Sequence, residues 1–211
     1  MSLILFDFDG ALADTLGDLL QFGQEACNEL GIERIPTRAD LDVLEVMSFA
    51  TYGQQLGVPD ALVDEFVRRC LDKVANKAAP PPLFEGLGPA LERLATDNVL
   101  AIVTGNNRAN VTAFLAHHGL SERVRAIYGV DAPGSKVEKI RRAKAELARE
   151  GESVWMVGDS VSDILAAHEA GVKSVAVAWG HQSVERLLKA GPDVLVYSAG
   201  ELLDALERGG D

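Results

Sequence analysis

From about residue 80 onward, short apolar runs rich in Val, Ile and Leu alternate with amphipathic segments, the pattern of parallel strands joined by crossover helices. The runs at residues 3–8, 99–104, 124–128, 153–157, 174–178 and 194–197 are predicted strands. Between them, residues 110–119 place Val111, Phe114, Leu115 and His118 at helical spacing and stop at Gly119. Residues 137–151 repeat the pattern with Val137, Ile140 and Leu147. The expected fold class is α/β, a doubly wound and mostly parallel sheet with helices packed on it.

Residues 16–82 break this alternation. They carry helical patterns at 16–30, 38–56 and 60–78 with no strand candidate among them. The interval is bounded by a glycine-containing stretch, 10–17, and by Pro80, Pro81 and Pro82, a stiff run without backbone donors. The pattern therefore predicts a core of residues 1–15 and 83–211 and a helical insert of residues 16–82, hinged at both ends. Packing of these helices directly on the sheet, as part of one domain, is the alternative.

Composition narrows the function. The 211 residues hold 20 Lys and Arg against 32 Asp and Glu, a net charge of -12, which repels a phosphate backbone and argues against nucleic acid as a partner. The apolar runs at 99–103 and 175–179 are far shorter than the ~20 residues of a membrane helix, so no membrane partner and a cytoplasmic location are expected. Cys27 and Cys70 form no CxxC or metal-ligand spacing and are expected to be unpaired thiols. The pattern leaves the oligomeric state open.

Acidic residues stand where predicted strands end. Asp7 and Asp9, two residues apart, are expected on one side of the first strand's carboxyl end, where ligands of open α/β sheets bind. Paired carboxylates raise one another's pKa unless a cation or hydrogen bonds compensate, which suits a bound metal or a shared proton. Two solvated turn acids would also fit this pair taken alone. Asp159 ends the 153–157 strand, and Asp163 falls in the first turn of the next helix, where an acid serves equally well against the dipole.

Two further strand ends suit an anion. Thr104, Gly105 and Asn106 precede a helix, so backbone N–H groups and the Thr104 hydroxyl can surround a phosphate, although a plain strand-to-helix turn has the same sequence. Ser135 and Glu138 form a capping box, which puts Lys136 in a first helical turn where the dipole disfavours a cation. An anion should compensate it; Lys139, one turn later, is the rival. The histidines show no metal spacing and are read as non-catalytic.

Taken in order, DFDGALADT at residues 7–15, VTGNN at 103–107, Lys136 and GDSVSDILAAHEAG at 158–171 resemble the four motifs of the haloacid dehalogenase superfamily. Within it the chain looks most like the phosphoglycolate-phosphatase-like branch, whose helical cap follows the first motif. The resemblance implies that Asp7 is a nucleophile forming an aspartyl-phosphate and that Asp9 is the general acid and base. It further implies that Gly10, Thr104, Gly105, Asn106 and Lys136 bind the phosphoryl group. Asp7, the Asp9 backbone carbonyl, Asp159 and Asp163 would hold or support Mg²⁺. An acid at Asp9 favours phosphate esters over haloacids or phosphonates, so the implied partner is a small phosphorylated metabolite. A phosphosugar mutase would use the same acids, and a non-catalytic or receiver-like phospho-switch is the reading from another class. Two positions depart from the family pattern: Ala11 replaces the usual Thr, and Val137 replaces the Pro that commonly follows the lysine. Arg38, Arg68 and Arg69 are cations available in the insert, with surface helix charge the first reading of each.

Overall fold

The computed structural model describes residues 1–208. In chain order they form β1 (Ser2–Phe6), α1 (Leu16–Glu29), α2 (Arg38–Asp42), α3 (Phe49–Gln55), α4 (Val63–Ala75), α5 (Leu87–Asp97), β2 (Val99–Val103) and α6 (Arg108–His117). Then follow β3 (Ala126–Tyr128), α7 (Lys136–Leu147), β4 (Ser153–Gly158), α8 (Val161–Ala170), β5 (Lys173–Val177), α9 (Val184–Ala190), β6 (Val194–Val196) and α10 (Ala199–Arg208). The six strands form one sheet in the order β3-β2-β1-β4-β5-β6, with every neighbouring pair parallel. The doubly wound parallel sheet is therefore as expected.

Alternation along the strands fills two apolar layers. Ile4, Phe6, Leu100, Ile102, Trp155 and Val157 face a layer that includes Leu91 and Leu94 of α5, Phe114 of α6 and Leu202 of α10. Leu3, Leu5, Ala101, Val103, Val154 and Met156 face the opposite layer, closed by Ile140 and Ala143 of α7 and Ala167 of α8. The parallel register, Leu5 beside Ala101 and Met156, keeps each set on its own face.

Between β1 and α5 the described residues form helices, turns and isolated bridges at Asp9, Ala13 and Leu83, with no strand among them, and the helices build a separate apolar cluster. It holds Ala26, Cys27, Leu41, Leu44, Tyr52, Leu56, Phe66 and Cys70, with the Tyr52 and Phe66 rings edge to face at 6.2 Å. Both cysteines are buried free thiols. The predicted helix over 38–56 is corrected to two. α2 ends at Asp42, and Ser48 starts α3 by accepting the Thr51 N–H, a local bond that competes with continuing the first helix. The segment predicted at 60–78 opens as a 3-10 turn, Asp60–Leu62, before α4 begins. α5, α9 and α10 are additional to the helices predicted from spacing. Pro89 in α5 is tolerated because it stands in the first turn, where N–H groups have no helical acceptor.

Beyond β1 the chain makes a tight double turn: Leu12 and Ala13 N–H both donate to Phe8 O, at 3.0 and 2.9 Å, and Gly10 N–H donates to Ala13 O at 2.9 Å. The segments leaving and rejoining the sheet then bond to each other, Asp14 N–H to Pro82 O at 2.9 Å and Phe84 N–H to Leu12 O at 3.1 Å. His118 joins them through a 3.0 Å hydrogen bond from Nε2 to Pro81 O.

Phe114 anchors this junction, because its ring is fully buried and meets Phe8 edge to face at 4.9 Å, one residue past Asp7. Phe114→Ala is expected to lower stability by about 3–5 kcal/mol, the cost of an aromatic truncation in a close-packed core. Urea denaturation checks this, with the midpoint falling and the slope unchanged.

Candidate active site

β1, β2 and β4 are adjacent, so the residues at their carboxyl ends converge. Asp7 stays in register through its N–H to Val157 O, 2.8 Å. The capping box of α7 forms as the sequence predicts, with Ser135 Oγ accepting the Glu138 N–H and the Glu138 carboxylate accepting the Ser135 N–H. It starts the helix at Lys136, whose Nζ reaches Asp7 Oδ1 at 3.0 Å and Asp163 Oδ1 at 2.5 Å. The anion facing the first-turn lysine is thus a pair of carboxylates. No ion pair joins Lys139 to these acids among the described residues, and its buried amine is pushed below its ordinary pKa by burial and by Lys136.

Asp163 serves both purposes left open by the sequence. Its Oδ2 accepts from the Ser160 N–H at 3.1 Å and hydroxyl at 2.6 Å, completing the capping box of α8, while Oδ1 faces Lys136. Asp159 Oδ2 accepts the His181 N–H at 2.7 Å. One carboxylate oxygen each from Asp7, Asp159 and Asp163 lie within 4.8 Å of one another. Asp9 stands beside them rather than in the trio, its Oδ2 accepting from Asn106 Nδ2 at 3.0 Å. Asn106 is itself fixed by its N–H to Thr104 Oγ1, 3.0 Å, so the turn after β2 is tied to the acid after β1. Gly105 between them leaves open space where a Cβ would stand.

Close approach explains two glycines. A Cβ on Gly10, at φ +81°, would lie 2.1 Å from Asp159 Oδ2, and one on Gly180 would lie 2.2 Å from Asp159 Cβ. A side chain at either position would displace the carboxylate. The Gly10 N–H is occupied by Ala13 O, so this residue offers the site room more than a donor. Ala11, the departure from the family pattern, is buried and its carbonyl accepts the Trp179 indole N–H at 3.1 Å.

The charges do not balance. Burial, opposed by Lys136 and reinforced by Asp163, Asp159 and Asp9, holds the Asp7 carboxyl well above the usual range. Burial and Asp163 push Asp159 up to about 7. Burial also raises Asp9, against the hydrogen bond from Asn106. For Lys136, burial works against the charge, but Asp163 and Asp7 outweigh it and the ammonium is held above its ordinary value. Such mutual perturbation among buried acids at the carboxyl ends of adjacent strands is the pattern that functional centres of open α/β sheets show.

His181, read from sequence as non-catalytic, lies inside this site. Its Nδ1 is 3.3 Å from Asp159 Oδ2 and its Nε2 3.2 Å from Thr15 Oγ1. Thr15 occupies the N-cap of α1 without capping it, since its hydroxyl is turned to the histidine. The signal for His181 was its place just past the fifth predicted strand, another carboxyl end of the same sheet. Arg38 is corrected too: its guanidinium bonds the carbonyls of Gly180 and His181, whereas Arg68 and Arg69 pair with Glu65 and Glu29 on helix surfaces as expected.

The sequence pattern of the haloacid dehalogenase-like hydrolases matches residues 4–177, which contain Asp7, Thr104, Lys136, Asp159 and Asp163. The chain belongs to that family. A phosphoglycolate phosphatase of Synechococcus elongatus is 31% identical over 211 residues, covering 98% of this chain and 97% of that protein. A phosphoglycolate phosphatase of Caulobacter vibrioides is 34% identical over 211 residues, with 92% of this chain and 86% of that protein covered. Among solved structures, a haloacid dehalogenase-like hydrolase from Streptococcus pneumoniae superposes with a TM-score of 0.86 at 23% identity, over 98% of each chain. This haloacid dehalogenase-like protein is thus an enzyme of the hydrolase class. No helix of the described residues is long and apolar enough to cross a membrane.

Lys136 supplies the positive charge between two buried acids, so Lys136→Met is expected to cost about 3–5 kcal/mol in metal-free protein, the penalty for an unpaired buried charge. Lys139→Met should cost less, because it leaves the carboxylates paired. Chemical denaturation of both variants in chelator measures the difference.

Proposed function

We propose that this enzyme is a Mg²⁺-dependent phosphatase that hydrolyses a small phosphorylated metabolite, such as a phosphoglycolate-like or sugar phosphate monoester, through an aspartyl-phosphate on Asp7. The observation that carries this reading is the trio of carboxylate oxygens from Asp7, Asp159 and Asp163 within 4.8 Å, crossed by a single lysine. An all-oxygen donor set with excess negative charge fits a hard divalent cation. Asp7, Asp159, Asp163 and the Asp9 backbone carbonyl would hold magnesium, which would neutralise charge on the phosphoryl oxygens.

The chain's own groups then account for the transfer. An Asp7 carboxylate oxygen attacks phosphorus, the bond from phosphorus to the ester oxygen breaks, and Asp9 delivers a proton to the departing alkoxide. In the second step Asp9 takes a proton from water, the water oxygen attacks phosphorus, and Asp7 leaves as a carboxylate with release of inorganic phosphate. The raised pKa of Asp9 suits a group that must be protonated for the first step and deprotonated for the second. Lys136 and the turn of Thr104, Gly105 and Asn106 would hold the phosphoryl oxygens, and Asn106 would orient Asp9.

In the same reading, residues 16–82 are a cap over a core of residues 1–15 and 83–211. The separate apolar cluster of its helices and the narrow paired connection at 12–14 and 82–84 support this division. A cap would close over the leaving group, exclude water during transfer to Asp7, and choose the substrate.

A panel of small phosphate monoesters assayed for inorganic phosphate tests the proposal. Release is expected with Mg²⁺ and lost in excess chelator, and Asp7→Asn should reduce it by about a thousandfold or more with the fold intact. Conversion of a sugar phosphate to its isomer without net release would identify a mutase instead. No turnover of any monoester, or near-wild-type activity in Asp7→Asn, would overturn the reading.

A further inference from the structure

Four consecutive residues after β5, Gly180 to Ser183, face two ways. Toward the acids, the His181 N–H donates to Asp159 Oδ2 at 2.7 Å. Gln182 Oε1 accepts the Val161 N–H at 2.7 Å, in the first turn of α8 and two residues past Asp159. Toward the helical segment, Arg38 of α2 donates from Nε to His181 O at 3.1 Å and from Nη2 to Gly180 O at 2.5 Å. Gln182 Nε2 donates to Leu44 O at 2.7 Å and Asp42 O at 3.2 Å, and the Ser183 N–H reaches Asp42 Oδ1 at 2.6 Å.

Gln182 is the residue on which the two sets meet. Its side chain is fully buried, with 0% exposure, so its amide has no water to substitute for either partner. One end of that amide fixes the backbone beside Asp159, and the other requires the end of α2 to be in place. Gly180 transmits the same constraint by contact, since it packs too closely on Asp159 to admit a Cβ. The family match ends at residue 177, just short of these residues.

We propose that Gln182 and Arg38 are positioning residues, through which docking of α2 on the 180–183 loop fixes Asp159 and the first turn of α8 in the geometry that receives a divalent cation. The coupling between α2 and the Asp159 corner stands on the hydrogen bonds alone; its consequence for the cation rests on the magnesium reading above. By linkage, a cation that orders Asp159 also favours the docked position of α2, so substrate access and metal readiness are set together. Neither residue touches the reacting atoms, and each acts through the placement of Asp159.

The test begins with metal-free protein. Amide hydrogen exchange of Val161 and His181, resolved by NMR, is compared in wild type, Arg38→Ala, Arg38→Lys and Gln182→Ala. Arg38 lies on an exposed stretch of α2, so its variants keep the fold if Gln182→Ala does not. Arg38→Ala is expected to speed exchange of both amides about fivefold or more, with Arg38→Lys in between. Calorimetric titration with Mg²⁺, without substrate, should show a Kd raised by a similar factor in Arg38→Ala. Unchanged exchange at both amides overturns the proposal. So does faster exchange with an unchanged Kd, because the contact would then be structural only. Faster exchange in a protein that neither binds Mg²⁺ nor releases phosphate would keep the coupling and sink the phosphatase reading.

Discussion

The ammonium of Lys136, lying between Asp7 and Asp163, is the attraction that lets so many acids share one buried corner. Asp7, Asp159 and Asp163 are all at most 8% exposed, and Asp9 adds a further acid beside them. Burial in low dielectric penalises each charge, and mutual repulsion adds to it, so a single lysine leaves the corner with negative charge in excess. The rise of Asp159 to about 7 is one expression of that excess. A corner lined with three such carboxylate oxygens has much to gain from a cation. The chain's overall balance, a net charge of -12, has the same sign as that excess.

Topology brings the corner together. β1 sits inside the sheet with β2 on one side and β4 on the other, so three strand ends carrying Asp7, Thr104 and Asp159 become neighbours although they are distant in sequence. That is the switch point at which open parallel sheets form a crevice. The helices contribute through their starts: the capping boxes at Ser135 and Ser160 set the first turns from which Lys136 and Asp163 reach inward. Close packing does the rest, since Gly10 and Gly180 let backbone rest directly against Asp159.

Much of this was legible because it is periodic or local. The six strands, their parallel class and the first-turn place of Lys136 follow from apolar runs and one capping box, and all four acids stand at strand or helix ends that the pattern marks. Less legible were features set by long-range contact. Ser48 splits the 38–56 segment through a cap that competes with helical spacing. Arg38 looks like a surface charge because its carbonyl partners lie more than 140 residues away. His181 shows no metal spacing because its partners, Asp159 and Thr15, come from separate parts of the chain. Gln182 has an unremarkable sequence context, and only its complete burial between the start of α8 and the end of α2 gives it meaning.

The helical segment is attached to the sheet in two physically different ways. At 12–14 and 82–84 the paired chain is covalently continuous with the sheet, and His118 clamps it to the end of α6. At 180–183 the attachment is a set of hydrogen bonds to α2 and the residues just after it, most of them with a backbone group as one partner. The apolar surface of α1 to α4 is buried in its own cluster and not against the two layers of the sheet. Separating the segment at the second attachment would therefore expose polar partners and leave every apolar core intact. What resists separation is the buried amide of Gln182, with Arg38 on the loop carbonyls and the Arg186–Glu45 ion pair beside it. Through Gln182 and the His181 N–H, the hold of α2 on this loop reaches the same acid corner that Lys136 holds together.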